Sequence, residues 1–160
     1  MNEAGIEIKG LDKIIAKLDR VKSAQVLNEA VTQSCLIVEK EAKRNVTSGE
    51  NVEEWKKDDK SEVAMVKAMI THNVRSSPSG CVGKVGINLL FAIWMHQGTG
   101  IHAINGDGRK DVPWFWKDPK TKQTKSSSGR KPTQFLLNAL DTKRENIKKV
   151  FLKVYKGAVK

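Results

Sequence analysis

Two histidines, His96 and His102, stand six residues apart in a glycine-rich stretch and are the one close pair among the chain's three. A zinc site needs at least three protein ligands with nitrogen, sulfur or oxygen donors. With no third ligand at an accompanying spacing, the pair is a weak metal hint and no metal is assigned. Gly80-Cys81-Val82-Gly83-Lys84 has the look of a phosphate loop. It fails as one, because Val85 stands where a magnesium-holding Ser or Thr is needed and Pro78 replaces the first glycine. Asn105-Gly106-Asp107-Gly108 resembles the middle of a calcium loop, yet the first and twelfth ligand positions are Ala103 and Trp114. Two essential oxygens are therefore missing. No GxSxG motif and no credible Ser/His/Asp spacing is present. The two cysteines, Cys35 and Cys81, form no CxxC motif and fit a reducing compartment, with a single disulfide left open. These residues leave no catalytic residue, metal ligand or cofactor to assign.

The elements that position these residues centre on 91–100, Phe-Ala-Ile-Trp-Met-His-Gln-Gly-Thr-Gly. The apolar run over 89–95 has seven residues, far short of the roughly 20 that cross a bilayer. No membrane partner is expected. Periodicity leaves open whether this run is a buried strand or a buried helical turn. Gly98 and Gly100 then allow a sharp corner, with His96, Gln97 and Thr99 beside them. The reading predicts that a buried element delivers this polar corner to the surface.

Along the chain, residues 6–9 fit a short first strand. Leu11, Ile14, Ile15, Leu18 and Val21, then Leu27, Ala30, Val31, Cys35, Val38 and Ala42, recur at steps of three and four. That spacing predicts one helix or two over 11–44, with Cys35 as a small core residue on its apolar stripe. Residues 45–62 are polar and read as a mobile loop. Its acids, Glu53, Glu54, Asp58 and Asp59, are interleaved with lysines and make a solvated charge run. Residues 66–75 alternate apolar and polar, which predicts a half-buried strand with His72 on the inner side. Ser76-Ser77-Pro78-Ser79-Gly80 signals a turn into a returning strand carrying Cys81, Val85 and Ile87, hence an antiparallel pair. A second long insertion covers 101–132. Its Trp114-Phe115-Trp116 triplet fits one arm of a hairpin flap turning at Asp118-Pro119-Lys120. The two tryptophans either fold back on the core or anchor a partner. Pro132 and Thr133 open a last helix, with Thr133 as its cap and Leu136, Leu140, Ile147, Phe151 and Val154 on one face.

The 160 residues bear a net charge of +11, and 29% of them are charged against 39% hydrophobic. One domain is expected, large enough to bury a core without disulfides. The excess of lysine over arginine suits diffuse attraction to an acidic partner rather than bidentate reading of bases. Residues 130–160 hold nine basic and two acidic residues, so the positive charge gathers at that end. Lys143, Arg144, Lys148, Lys149, Lys153 and Lys156 are the candidates to face DNA or an acidic partner. The opening residues carry acids and no apolar core, which does not match a signal peptide.

Taken in order, these pieces resemble a known family. Gly10-Leu11-Asp12-Lys13 opens the helical segment, and Ala42-Lys43-Arg44-Asn45-Val46 closes it. A strand pair leads to 91–100, and Lys131-Pro132-Thr133-Gln134-Phe135-Leu136 starts the last helix. This order is similar to the tail-completion, or head–tail joining, proteins of long-tailed bacteriophages, the gene-product-ten-like type. The family's marks are an aromatic-Ala segment ending in an acid-x-Gly-Thr corner and a Lys-Pro-x-x-Phe-Leu helix start. The chain departs from them at His96 and Gln97, where many members carry Glu, and at Val46-Thr47-Ser48-Gly49, a degraded Pro-x-x-Thr-Gly. The resemblance implies an α+β fold, a small antiparallel sheet packed against a long N-terminal helical segment and a C-terminal helix. It also implies a virion protein, assembled in the host cytoplasm, that joins tail to head. Its partners would be copies of itself in a ring, commonly a hexamer, together with head-closure and tail-tube proteins and double-stranded DNA passing through without sequence specificity. Self-contacts are expected through Trp114, Phe115 and Trp116 and through the corner of His96, Gln97, Gly98, Thr99 and Gly100. The competing expectation is a basic, sequence-nonspecific nucleic-acid-binding module.

Overall fold

Between Ala24 and Ser48 no glycine or proline interrupts a stripe of buried residues, Ala30, Ser34, Cys35, Val38, Ala42 and Val46, at helical steps. That segment is a single 25-residue helix, α1 (Ala24–Ser48), in the computed structural model, which describes residues 16, 19, 24–57, 60–77, 80–119 and 121–159. The expected strand at 6–9 lies outside the described residues. So do all the residues of the first helical stripe, Leu11, Ile14, Ile15, Leu18 and Val21; of the segment that carries them, Ala16 and Asp19 are described and helical. Gly49 ends α1, its N–H donating to the Asn45 carbonyl at 2.8 Å.

The expected loop over 45–62 is largely helical instead. α1 runs through Ser48, and after a turn with Asn51 in the left-handed region come α2 (Val52–Lys56) and α3 (Lys60–Met69). Val52, Trp55, Val63 and Val66 are buried. A short helix resting on the core by only two side chains leaves the rest polar, so its composition looks like that of a loop. The expected strand over 66–75 is likewise corrected in its first half. Val63, Val66 and Ile70 are buried at helical steps, and the strand β1 begins only at Thr71 (Thr71–Ser77).

β1 pairs antiparallel with β2 (Gly80–Gly86), in a register running from Thr71 opposite Gly86 to Ser77 opposite Gly80. The hairpin lies on α1, and Gly83 is the point of closest approach: a Cβ there would overlap Cys35 Sγ and Val31 Cγ1. Next come α4 (Leu90–Gln97), a 3-10 turn (Gly100–His102), and a second hairpin of β3 (Trp114–Lys117) and β4 (Thr124–Ser127). The last element is α5 (Phe135–Val159), which packs along α1. The fold is thus α+β, a long helix followed by two small antiparallel sheets and a C-terminal helix. Among the described residues the strands form two separate two-stranded sheets, the expected antiparallel pair and the expected flap.

α5 starts at Phe135, and Thr133 does not cap it. The Thr133 hydroxyl and its N–H both donate to the Met95 carbonyl, at 2.8 and 3.0 Å, so that residue ties α5 to α4. Phe135, Met95, Val46, Val52, Val66 and Ile70 are the largest fully buried side chains, and they join α1 to α5 in one core. Glu41, only 5% exposed on α1, holds Lys143 of α5 at 3.1 Å and also pairs with Arg44. Burial pushes its carboxyl upward, but the hydrogen bonds from Arg44 and Lys143 outweigh this and hold it below the usual range. Among the described residues, no helix is long and apolar enough to cross a membrane.

Trp55 is buried edge-on to Phe91, with ring centroids 5.6 Å apart, and its Nε1–H donates to the Lys131 carbonyl at 2.9 Å. Replacing Trp55 by Phe keeps most of the packing and removes that part-buried hydrogen bond. The expected cost is about 0.5–1.5 kcal/mol, read as a lower urea midpoint with an unchanged m-value.

Candidate interaction site

The corner at 98–100 exists, but it faces inward. Gly98 (φ 78°) ends α4 with its N–H on the Trp94 carbonyl at 2.7 Å, and Gly100 (φ 58°) begins the 3-10 turn. Both are buried, while His96, Gln97 and Thr99 are half-buried. The reason is close backbone approach. A Cβ on Gly100 would overlap the Ser128 carbonyl, and one on Gly98 would crowd the carbonyls of His102 and Arg130. The glycines supply positive φ and the missing side chain at the same positions. The expectation of a corner presented at the surface is therefore corrected: it staples two parts of the chain together.

The second part is the strap leading into α5. Thr99 N–H donates to Arg130 O at 2.9 Å, and Arg130 N–H returns a bond to Thr99 Oγ1 at 3.0 Å. Ile101 N–H donates to Ser128 O at 3.3 Å, and Gln134 N–H to His96 O at 3.1 Å. The strap's other edge is held by side chains of the N-terminal half. Asn51 Nδ2 reaches Pro132 O at 2.9 Å, and Asn45 Nδ2 reaches Phe135 O at 3.2 Å. The Arg130 guanidinium lies over the Trp55 ring at 5.2 Å. Sequence reasoning found the corner and the helix start separately. It missed Asn45, Asn51 and Trp55 as the donors between them, because nothing local in a polar stretch marks a donor aimed at a carbonyl some 80 residues away.

His96 sits under the strap with its ring edge-on to Phe135, centroids 5.1 Å apart, and its Nδ1 is buried without a partner. Burial alone lowers its pKa from the ordinary value. His102 lies in the 3-10 turn, its N–H on Thr99 O at 3.2 Å. Among the described residues no group of three or more His, Cys, Asp or Glu is placed to hold a metal. Cys35 is buried beside an apolar cleft of about 460 Å³ between α1, β2 and α5. Burial first, then Cys81 and Glu39, pushes its thiol up, the protonated state of a packed core residue rather than of a nucleophile.

What the outer surface offers is apolar and basic. On the flap, Phe115 is 67% and Trp116 39% exposed, while Trp114 is half-buried beneath the Arg109 guanidinium at 5.7 Å. A salt bridge from Lys125 to Asp118 at 2.7 Å ties the flap's two arms. α4, expected to be buried, exposes Leu90, Ile93 and Trp94 at steps of three and one, a single apolar stripe on its outer face. Gln97 continues that stripe, and its carbonyl takes the Ile104 N–H at 3.0 Å, which brings exposed Ile104 alongside. The α5 cations divide. Lys143 is turned back to Glu41, Arg144 to Asp141 at 2.9 Å and Lys148 to Glu145 at 2.7 Å. Lys149, Lys153 and Lys156 are exposed and make no ion pair among the described residues.

No family model matches the chain, and neither a curated protein nor a solved structure does.

Because the folded state holds His96 neutral and the unfolded chain does not, acid favours unfolding through this residue. Its contribution is complete above the ordinary histidine pKa of about 6.5 and is lost as the pH falls toward the lowered folded-state value. Urea midpoints measured from pH 7.5 down to 5 are expected to fall, and His96→Leu to remove that part of the slope. An identical slope in the variant would assign the acid sensitivity elsewhere.

Proposed function

We propose that this chain is a structural protein of a long-tailed bacteriophage virion, completing the tail and joining it to the head as one subunit of a ring through which DNA passes. One observation carries the reading: the two segments that bear the family resemblance, 91–100 and 131–136, dock on each other as one hydrogen-bonded unit. Met95 and His96 carbonyls receive Thr133 and Gln134, while Thr99 and Arg130 exchange a pair of bonds. The reading takes this docked pair as one structural device, the part of the fold on which the resemblance rests.

The surface supports the same reading. A ring of heterologous contacts needs two different patches on each subunit. Phe115 and Trp116 on the β3 arm of the flap and the α4 stripe of Leu90, Ile93 and Trp94 are two such apolar patches on different elements. With the corner turned inward, the proposed self-contact rests on the flap and the stripe. Aromatic anchors of this kind dominate interface energetics. Head-closure and tail-tube proteins are the further partners of this reading, and its chemistry is assembly without bond-making.

In a phage carrying this gene, the double variant Phe115→Ala/Trp116→Ala is expected to yield a protein with an unchanged unfolding midpoint. The same variant should lower the yield of infectious particles by orders of magnitude, with unjoined heads and tails visible by electron microscopy. Normal particle yield would remove the flap from the interface. The flanking reading frames give an independent check: head-closure genes on one side and a tail-tube gene on the other are expected, and unrelated neighbours would overturn the reading.

A further inference from the structure

A basic surface with a concave shape lies away from the lysine-rich end of α5. It is an open groove of about 900 Å³ lined by α1, α3 and α5. Lys40, Lys43, Arg44, Lys67 and Lys143 line it, with Glu39 and Glu41 as its acids. Both acids are already engaged. Glu39 pairs with Lys43 and His72, and Glu41 with Arg44 and Lys143. Hydrogen bonds, that from Lys43 foremost, hold the Glu39 carboxyl below its usual range and so keep it ionised and occupied. The groove is left with a surplus of three positive charges. Two of its cations, Lys40 and Lys67, are exposed and make no ion pair among the described residues.

From this the geometry points to a binding site for the phosphate backbone of double-stranded DNA in the α1–α3–α5 groove, independent of base sequence. Lys40, Lys43 and Arg44 share one face of α1 within a single turn, and Lys67 of α3 and Lys143 of α5 line the same groove. The free cations are lysines, point charges that suit phosphate oxygens met in no fixed orientation. Planar carboxylates are best matched by an Arg fork, and the groove's Arg44 is already taken by Glu41. An acidic protein segment is therefore the poorer fit. The inference concerns the isolated chain and does not rest on the tail reading. A chain that assembles tails normally but binds no duplex would lose this proposal alone, and one that binds duplex but has no part in tails would keep it.

The test measures binding of the full chain to a mixed-sequence DNA duplex by fluorescence anisotropy over a series of salt concentrations. Three neutralised phosphates predict a log–log salt slope of roughly −3. Lys40→Gln/Lys67→Gln is expected to reduce that slope by about two and weaken binding on the order of tenfold or more at low salt. Lys40→Arg/Lys67→Arg should restore it. Lys153→Gln/Lys156→Gln removes the same charge from α5 outside the groove and is expected to leave binding near wild type. Equal losses from both glutamine pairs would mean that net charge alone attracts DNA, and the groove would lose its role. Poly-glutamate bound as tightly as duplex, with the same dependence on Lys40 and Lys67, would make it an acidic-protein site. Displacement of the duplex by low concentrations of inorganic phosphate would make it a site for the free ion. Each of these three outcomes overturns the proposal.

Discussion

A strap with no regular secondary structure has to find a partner for each backbone carbonyl it turns toward the core, and the rest of this structure is arranged to meet that need from Arg130 to Phe135. Thr99 N–H takes the Arg130 carbonyl, Trp55 Nε1 that of Lys131, and Asn51 Nδ2 that of Pro132. Asn138 then bonds Thr133 O through its side chain and Gln134 O through its backbone, and Asn45 Nδ2 reaches Phe135 O. These donors come from α1, the turn after it, α2, the loop after α4 and α5. No member of that set can move without breaking one of these part-buried hydrogen bonds, at about 0.5–1.5 kcal/mol for each. The strap therefore sets how the helices are arranged around the core of Phe135, Met95 and Val46.

That constraint also explains how freely the outer features can be built. The β3–β4 hairpin lies between two anchored points, the corner at 98–100 and the strap at 128–134, and is tied across its own arms by Lys125 and Asp118. It can expose Phe115 and Trp116 because the core does not depend on them. α4 is pinned at its C-terminal end, where Met95 and His96 give up carbonyls to Thr133 and Gln134. Its opposite face is left to carry Leu90, Ile93 and Trp94 outward. The positive charge follows the same division. Cations near the α1–α5 seam are partly spent on Glu39 and Glu41, while those farther along α5 point into solvent.

Where a pattern repeats within a few residues, the chain announced its structure. The turn at 76–80 with apolar alternation on either side yields β1 and β2. The aromatic triplet before Asp118-Pro119 yields the flap, and steps of three and four carry Cys35 onto the buried side of α1. The segment 45–70 was misread for an equally definite reason. Val66, Ala68 and Ile70 fit a strand's alternation, while Val63, Val66 and Ile70 fit a helix, and only burial separates the two. Ala68 is exposed, and the other three are buried. The isolated Trp55 carried no periodic signal at all.

By itself, then, the sequence determined the class of fold, the two hairpins, the long helices and the glycine-enabled bend, because each follows from local sterics or from a short hydrophobic period. Only the tertiary structure decided that this bend turns inward, that Thr133 bonds α4 rather than its own helix, and that Asn45, Asn51 and Trp55 serve a strap distant in sequence. A hydrogen-bond donor gives no hint in the sequence of which carbonyl it will meet. That pairing is selected by the geometry of the collapsed chain, in which leaving either group unpaired is the costly alternative.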